Sequence, residues 1–155
     1  MTTTRNQSVV SSSETLIDAR GPRFGAVLTT VVLALALVTH SAVLIALQLI
    51  VFAIGAFNSP SKSPYAFLYK KFVKPRLRGD VPVEDVRPPK FAQLVGFLFT
   101  VVAIAGSIFG SQGLFTVAVA LCLAASFLNA AFNFCLGCQI YLLFTRLTHR
   151  SRPAA

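Results

Sequence analysis

Two cysteines, Cys135 and Cys138, stand three residues apart in the stretch FCLGCQIY near the C-terminal end of the chain. Thiols at this spacing can form one disulfide, hold a metal with help from other ligands, or relay sulfur between proteins. If Asn133 caps a helix that begins here, the unpaired N–H groups of its first turn favour the thiolate of Cys135. Plain apolar packing is the alternative role for both side chains. We predict that Cys135 and Cys138 are the catalytic residues of a dithiol site.

Few other residues could build a different reactive site. The third cysteine, Cys122, stands alone in an apolar run and is interpreted as a packing residue. A structural zinc site takes about four ligands, and only His149 follows near the cysteine pair. His40 falls at the opposite face of the predicted spans from His149, so a haem-binding pair is not predicted. We therefore predict no cofactor and no metal, and favour thiol–disulfide or persulfide exchange.

The composition excludes an ordinary water-soluble globule. Hydrophobic residues make up 55% of the chain and charged residues 12%, whereas a soluble domain is roughly one quarter charged. The net charge of +9 comes from basic residues that flank apolar runs. Lipid headgroups are therefore the expected counterions, and nucleic acid is not a predicted partner.

Two overlong apolar runs, residues 24–57 and 114–144, each exceed one membrane crossing. The first would measure roughly 50 Å as a single helix, against a hydrocarbon core of about 30 Å. Thr39-His40-Ser41 interrupts it, which predicts two short spans; a signal peptide cleaved near Ala42 is disfavoured because apolar sequence resumes at once. The fold class is thus all-α integral membrane, with four transmembrane helices at about residues 24–39, 42–57, 91–109 and 114–133.

Two amphipathic surface helices are predicted beside the spans, at residues 64–74 and 139–148. In the first, Ser63 is the expected cap and Pro64 the first helical residue. In both, apolar residues recur at i, i+3, i+4 and i+7, a pattern typical of helices that lie on a membrane surface.

Charge distribution predicts the topology. Every Lys, Arg, Asp and Glu lies in one of three regions: before the first span (a tail at residues 1–17, predicted disordered, and the entry segment 18–23), in the central polar stretch with its linker (79–86), or in the sequence after the last span with its tail (149–155). The turns between paired spans carry no fixed charge. The positive-inside rule then places both termini in the cytoplasm of a multi-pass membrane protein.

The chain also repeats itself. DARGPRFG (residues 18–25) matches DVRPPKFA (85–92), and AFN at 56–58 recurs at 131–133, while Tyr65 falls near Tyr141. These matches favour two repeats with the same orientation, at 18–78 and 87–148, each a helical hairpin followed by its surface helix. Where the first repeat has SPSKSP, the second has FCLGCQ, which suggests that the thiols are a specialisation of one half.

At these residues the chain resembles a family of small bacterial integral membrane proteins, the domain of unknown function 4395. The resemblance lies in the motif Phe-Cys-Leu-Gly-Cys-x-x-Tyr, here residues 134–141, in the Pro-Lys-Phe-Ala of residues 89–92 and in Ser63-Pro64. It covers residues 18–147. It implies a protein of the bacterial cell (inner) membrane, often associated with thioredoxin-like or sulfurtransferase proteins.

Three functions remain open from the sequence. In the first, Cys135 attacks and Cys138 resolves during exchange with a soluble thioredoxin-like or rhodanese-like partner; whether the protein is an enzyme in its own right is left open. The second is a transporter or channel subunit for a small sulfur-containing or neutral solute, formed as a homo-oligomer, with a path lined by Gln48, Ser126 and Asn129. The third is a structural membrane anchor.

Overall fold

A computed structural model describes residues 16–77, 79 and 83–150 of the chain. Most of the predicted N-terminal tail, part of the linker and residues 151–155 lie outside the described residues. The helices are α1 (Arg20–Thr39), α2 (Ala42–Phe57), α3 (Pro64–Leu68), α4 (Arg87–Ile108), α5 (Gln112–Phe132) and α6 (Leu136–Arg150). Two short strands, β1 (Leu16–Asp18) and β2 (Val83–Asp85), also form in this part of the chain.

The predicted all-α class is confirmed, and the composition of the long helices suits a lipid bilayer. Helices α1, α4 and α5 have 20, 22 and 21 residues and are apolar enough to cross a membrane. Helix α2 is also apolar but has 16 residues, or about 24 Å of length. Its start is fixed by Ser41, whose hydroxyl accepts the Leu44 N–H at 3.4 Å, as expected of an N-cap.

The strands are a feature that the sequence analysis missed. β1 and β2 pair antiparallel, with Leu16 opposite Asp85 and Asp18 opposite Val83. Leu16 and Ile17 therefore belong to a strand and not to an irregular tail. Three residues are too few for the alternation that marks a strand in a sequence, and the pairing joins segments far apart in the chain.

The four longer apolar helices pack as antiparallel pairs around one core. The Thr29 hydroxyl on α1 contacts Gln48 on α2, and Thr30 on α1 contacts Ser126 on α5. Helices α2 and α4 pack closely at Gly96, where an added Cβ would lie 2.7 Å from the ring of Phe52. The buried core consists of Leu33, Ala36, Ile45, Phe52, Ala103, Phe115, Ala118, Val119 and Cys122.

This packing gathers the fixed charges at one end of the bundle. The starts of α1 and α4 meet through the two-stranded ribbon, and Arg23 near the start of α1 donates from Nε to the Ala130 carbonyl near the end of α5, at 3.3 Å. Every Lys, Arg, Asp and Glu in the described part of the chain lies at these helix ends or in the segments that adjoin them. We call this the charged end; the turns at residues 40–41 and 109–111 form the opposite end.

The central segment, residues 60–76, lies at the charged end and is less regular than the single helix predicted for residues 64–74. A 3-10 turn precedes α3, a π-helical turn follows at Tyr69–Val73, and a second 3-10 turn closes the segment at Lys74–Arg76. Pro75 has no N–H and cannot continue a helical ladder, which accounts for the end of the segment.

Candidate dithiol site

Helix α5 ends at Phe132, three residues before the first thiol. Asn133 adopts a left-handed conformation with φ of 54°, and its N–H bonds to the Leu128 carbonyl. The Phe134 N–H bonds to the same carbonyl, at 3.2 Å. This arrangement satisfies the last carbonyls of α5 and turns the chain, so Asn133 ends α5. It does not cap the following helix, which was the role considered for it from the sequence.

Cys135 itself is the N-cap of α6. Its carbonyl accepts the Gln139 N–H at 3.0 Å, and its Sγ accepts the Cys138 N–H at 3.2 Å. These two bonds are those that a capping serine makes. Helix α6 consequently begins at Leu136, three residues earlier than predicted, and its first turn contains Cys138.

The two thiols are joined. Cys135 and Cys138 form a disulfide, with their Cα atoms 5.1 Å apart. When the pair is reduced, the unpaired N–H groups at the start of α6 favour a thiolate on Cys135 over the neutral thiol. Both cysteines are partly exposed, whereas Cys122 is a free, buried thiol in the core. The pair can therefore meet a soluble reagent and Cys122 cannot do so without opening of the bundle.

The start of α6 is held against the start of α4. A Cβ on Gly137 would lie 2.7 Å from the Cα of Ala92, closer than any real side chain allows, so only glycine permits this approach. One turn further on, the Tyr141 ring lies 5.7 Å from the Phe91 ring. Gly137 and Tyr141 thus position the dithiol on a transmembrane-length helix, a role that sequence spacing alone did not assign to them.

The central segment repeats this arrangement without thiols. Ser63 caps α3: its Oγ accepts the Ala66 N–H at 3.2 Å, and its carbonyl accepts the Phe67 N–H at 3.1 Å. The Tyr69 ring lies 5.7 Å from the Phe24 ring at the start of α1. Tyr69, rather than the predicted Tyr65, therefore stands where Tyr141 stands in the second half.

Tyr69 also makes a polar contact with the start of the first half of the chain. Its hydroxyl donates to Asp18 Oδ2 at 2.9 Å, and Asp18 also accepts the Arg20 N–H at 2.9 Å. Burial alone would raise the pKa of Asp18, but the bonds from the Arg20 backbone, from Tyr69 and from the Arg20 guanidinium together hold that pKa below its ordinary 3.8. Burial and the adjacent carboxylate raise the pKa of Tyr69.

Two residues of the predicted solute path, Gln48 and Ser126, make hydrogen bonds within the bundle and none to the cysteine pair. Gln48 is fully buried; its Nε2 donates to Thr29 at 3.3 Å and its Oε1 accepts the Tyr65 hydroxyl at 2.8 Å. The Ser126 hydroxyl donates to the Leu123 carbonyl at 3.0 Å. Gln48 and Ser126 belong to separate, internally satisfied clusters. Within the described residues no group of three or more His, Cys, Asp or Glu side chains could hold a metal ion.

The fold and the site define a predominantly helical protein suited to a bilayer, with a disulfide-forming cysteine pair at one helix start. Residues 17–146 match the family described as Domain of unknown function (DUF4395), and the chain belongs to that family. No curated protein and no solved structure matches the chain.

Proposed function

We propose that the protein is a thiol–disulfide exchange component of the membrane, with Cys135 as the attacking thiol and Cys138 as the resolving thiol. The observation that carries the proposal is the position of Cys135 as the N-cap of α6, with Sγ accepting the Cys138 N–H. A sulfur at this position gains from the helix start in its thiolate form and lies within bonding distance of the second thiol. Simple apolar packing requires neither property.

The reaction balances as two successive exchanges. The Cys135 thiolate attacks one sulfur of a disulfide in a soluble thioredoxin-like partner, and the other partner sulfur leaves as a thiolate. The Cys138 thiolate then attacks Cys135 Sγ and expels the second partner thiolate. One electron pair and two protons pass to the partner, and the cysteine pair ends as a disulfide.

Sulfur relay is the variant with a rhodanese-like partner. There the Cys135 thiolate accepts the outer sulfur of a partner persulfide, and the partner cysteine leaves as a thiolate. The two variants share the same attacking group and differ in the species that forms on Cys135, a mixed disulfide or a persulfide.

The topology that we propose has four spans, with the charged end at the cytoplasmic face. Helix α2 is shorter than the hydrocarbon core of about 30 Å, but a bilayer thins locally around a short apolar helix at modest cost. Support comes from the antiparallel pairing of α2 with both α1 and α4, which returns the chain to the charged end. Basic residues concentrate there, and the positive-inside rule favours the cytoplasm for that end.

Two related hairpins are the second part of this proposal. Helix α1 of the first hairpin packs on α5 of the second, and α4 of the second hairpin packs on α2 of the first. The central segment contacts the start of α1, and α6 contacts the start of α4 in the same way. The Phe24–Tyr69 and Phe91–Tyr141 ring pairs have the same 5.7 Å separation, with interplanar angles of 46° and 44°. Asp18 and Asp85 each accept the N–H two residues ahead at 2.9 Å. A two-fold axis along the membrane normal relates elements in this way.

A trapping experiment tests the exchange function. The Cys138→Ser variant, in a Cys122→Ser background, retains the attacking thiol and lacks the resolving one. We therefore expect it to form a mixed disulfide with a soluble partner, and a reductant should cleave that disulfide. The matched control, Cys135→Ser in the same background, should trap far less. Mass spectrometry of the captured species distinguishes a mixed disulfide from a Cys135 persulfide. Equal capture by both variants, or capture by neither, would contradict the proposed roles.

A further inference from the structure

A cavity of about 50 Å³ opens at the charged end, on the side of the bundle that lacks the thiols. The central segment covers it, and the starts of α1 and α4 and the last turns of α2 form its floor. A volume of 50 Å³ accommodates roughly three to five water-sized groups. Its walls are mainly apolar, and its polar side chains include Asp18, Ser61, Tyr65, Lys70, Lys74 and Gln93.

The floor of the cavity carries an unsatisfied acceptor. Gln93 Oε1 is buried and has no hydrogen-bond partner. The carboxamide lies directly over Gly55, where an added Cβ would come within 2.8 Å of Gln93 Oε1. Gln93 lines the cavity, and buried polar atoms are nearly always paired, so its orphaned carboxamide oxygen indicates a missing donor. A hydroxyl group in the cavity would supply that donor once the carboxamide turns toward the cavity.

The mouth of the cavity carries basic groups. Lys70 Nζ is held near the rim by a 3.1 Å bond to the Ser61 carbonyl. Lys74 also lines the cavity and is exposed; the one ion pair in the described part of the chain joins Arg20 to Asp18, so Lys74 has no carboxylate partner there. The Asp18 carboxylate is already engaged by Tyr69 and Arg20. The mouth is thus suited to an anion.

We propose that this cavity binds a phosphoglycerol group, with the hydroxylated end reaching Gln93 and the phosphate at Lys70 and Lys74. The cavity is too small for a ring system or an acyl chain, which fits a terminal glycol unit. Its position at the end of the bundle where basic residues gather fits the headgroup region of a membrane. The inference needs the charged end to lie at a membrane surface and is independent of the thiols.

Native mass spectrometry of the detergent-purified protein tests the site with two matched lipids. Phosphatidylglycerol carries the phosphate and the hydroxyls; phosphatidylmethanol of the same acyl chains carries the same charge without them. We expect retention of phosphatidylglycerol to be roughly fivefold higher, the ratio given by about one hydrogen bond. Gln93→Leu should remove this preference, and Lys74→Gln should weaken binding of both lipids. Lys62→Gln, in the same segment but not in the cavity wall, should change neither.

A third probe distinguishes a membrane lipid from a soluble molecule as the source of the phosphoglycerol group. If free glycerol 3-phosphate competes with phosphatidylglycerol, and does so only when Gln93 is present, the proposed site is supported and its ligand is a soluble phosphoglycerol. Lack of competition together with the lipid preference supports a membrane lipid. Equal retention of the two lipids, unchanged by Gln93→Leu and by Lys74→Gln, would overturn the proposal. Running the assay in Cys135→Ser/Cys138→Ser protein keeps this outcome distinct from failure of the exchange function.

Discussion

The two helix starts at the charged end differ in one respect that matters for chemistry. Ser63 and Cys135 occupy the same capping position, and each accepts the N–H of the residue three places ahead at 3.2 Å. Ser63 lies within the central segment and is 6% exposed, whereas Cys135 is partly exposed and is followed by a second thiol. Both segments thus begin with the same type of cap, and only the second combines a sulfur atom at the cap, solvent access to it and a second thiol nearby.

The two starts also dock differently on the helix beneath them. In the first half, Gly25 leaves ordinary space, with the nearest side-chain atom of Tyr65 3.9 Å from a notional Cβ. In the second half, Gly137 touches the backbone of α4. The thiol-bearing helix is therefore held more closely, which fixes the position of the cysteine pair relative to the bundle.

The largest expected effect is on reactivity. Cys135→Ser should abolish the reductant-sensitive disulfide, and it should lower the initial rate at which the reduced protein reacts with a soluble aromatic disulfide to the slower rate of the Cys138 thiol. The capping bond survives in this variant because serine accepts the same N–H. Absorbance of the released thiolate measures the rate, and Cys122→Ser serves as the control that should leave it unchanged. A Cys135→Ser protein that still reacts as fast as the parent would contradict the assignment of Cys135 as the attacking thiol.

Gly137→Ala should destabilise the fold by about 1–3 kcal/mol, because the added methyl overlaps the Ala92 backbone. Gly25→Ala has room for the methyl and should stabilise by about 0.5–1 kcal/mol, the cost of glycine within a helix. Thermal unfolding in detergent compares the pair. Equal effects of the two substitutions would show that the closer docking of the second half is not real.

Tyr69→Phe should destabilise by about 1–2 kcal/mol, because it removes a hydrogen bond to a carboxylate. Tyr141→Phe retains the ring contact with Phe91, and we expect a change of less than about 0.5 kcal/mol. The same unfolding measurement ranks the two. A larger loss for Tyr141→Phe would reverse the assignment of the polar contact to the first half.

The smallest effect is a pH dependence specific to the first half. Since the folded chain lowers the pKa of Asp18 below 3.8, the carboxylate contributes stability that is fully present above its unfolded pKa. That stability is lost as the pH falls through the folded value, below 3.8. Asp18→Asn should therefore flatten the decline of the unfolding temperature at acid pH. Asp85→Asn, which removes the corresponding carboxylate of the second half, provides the comparison, and identical curves for the two would contradict the account.

Features set by local sequence were predictable. The break at Thr39-His40-Ser41, the Ser63-Pro64 helix start and the helical character of the long apolar runs follow from periodicity, capping preference and turn chemistry. The gathering of basic residues at one end of the bundle was also predictable from the sequence. Two antiparallel helices separate each charged segment from the next, so the chain returns to the same end.

Features set by tertiary contacts were not predictable. The pairing of Leu16–Asp18 with Val83–Asp85 joins distant three-residue segments, and the Tyr69–Asp18 bond joins residues whose spacing carries no pattern. Cys135 is a rare cap, so propensity pointed to Asn133 instead. One signal was present: glycine within a helical motif suggests a close approach, and Gly137 makes one.

The most direct test of the central claim is labelling of the reduced protein with a membrane-impermeant thiol reagent, in sealed spheroplasts and in inverted membrane vesicles. Mass spectrometry assigns the label to Cys122, Cys135 or Cys138. We predict rapid labelling of Cys135 and Cys138 in inverted vesicles, little in spheroplasts, and none of Cys122 in either. Labelling of the pair from the outside, or from neither side, would contradict a reactive dithiol at the cytoplasmic end of the bundle.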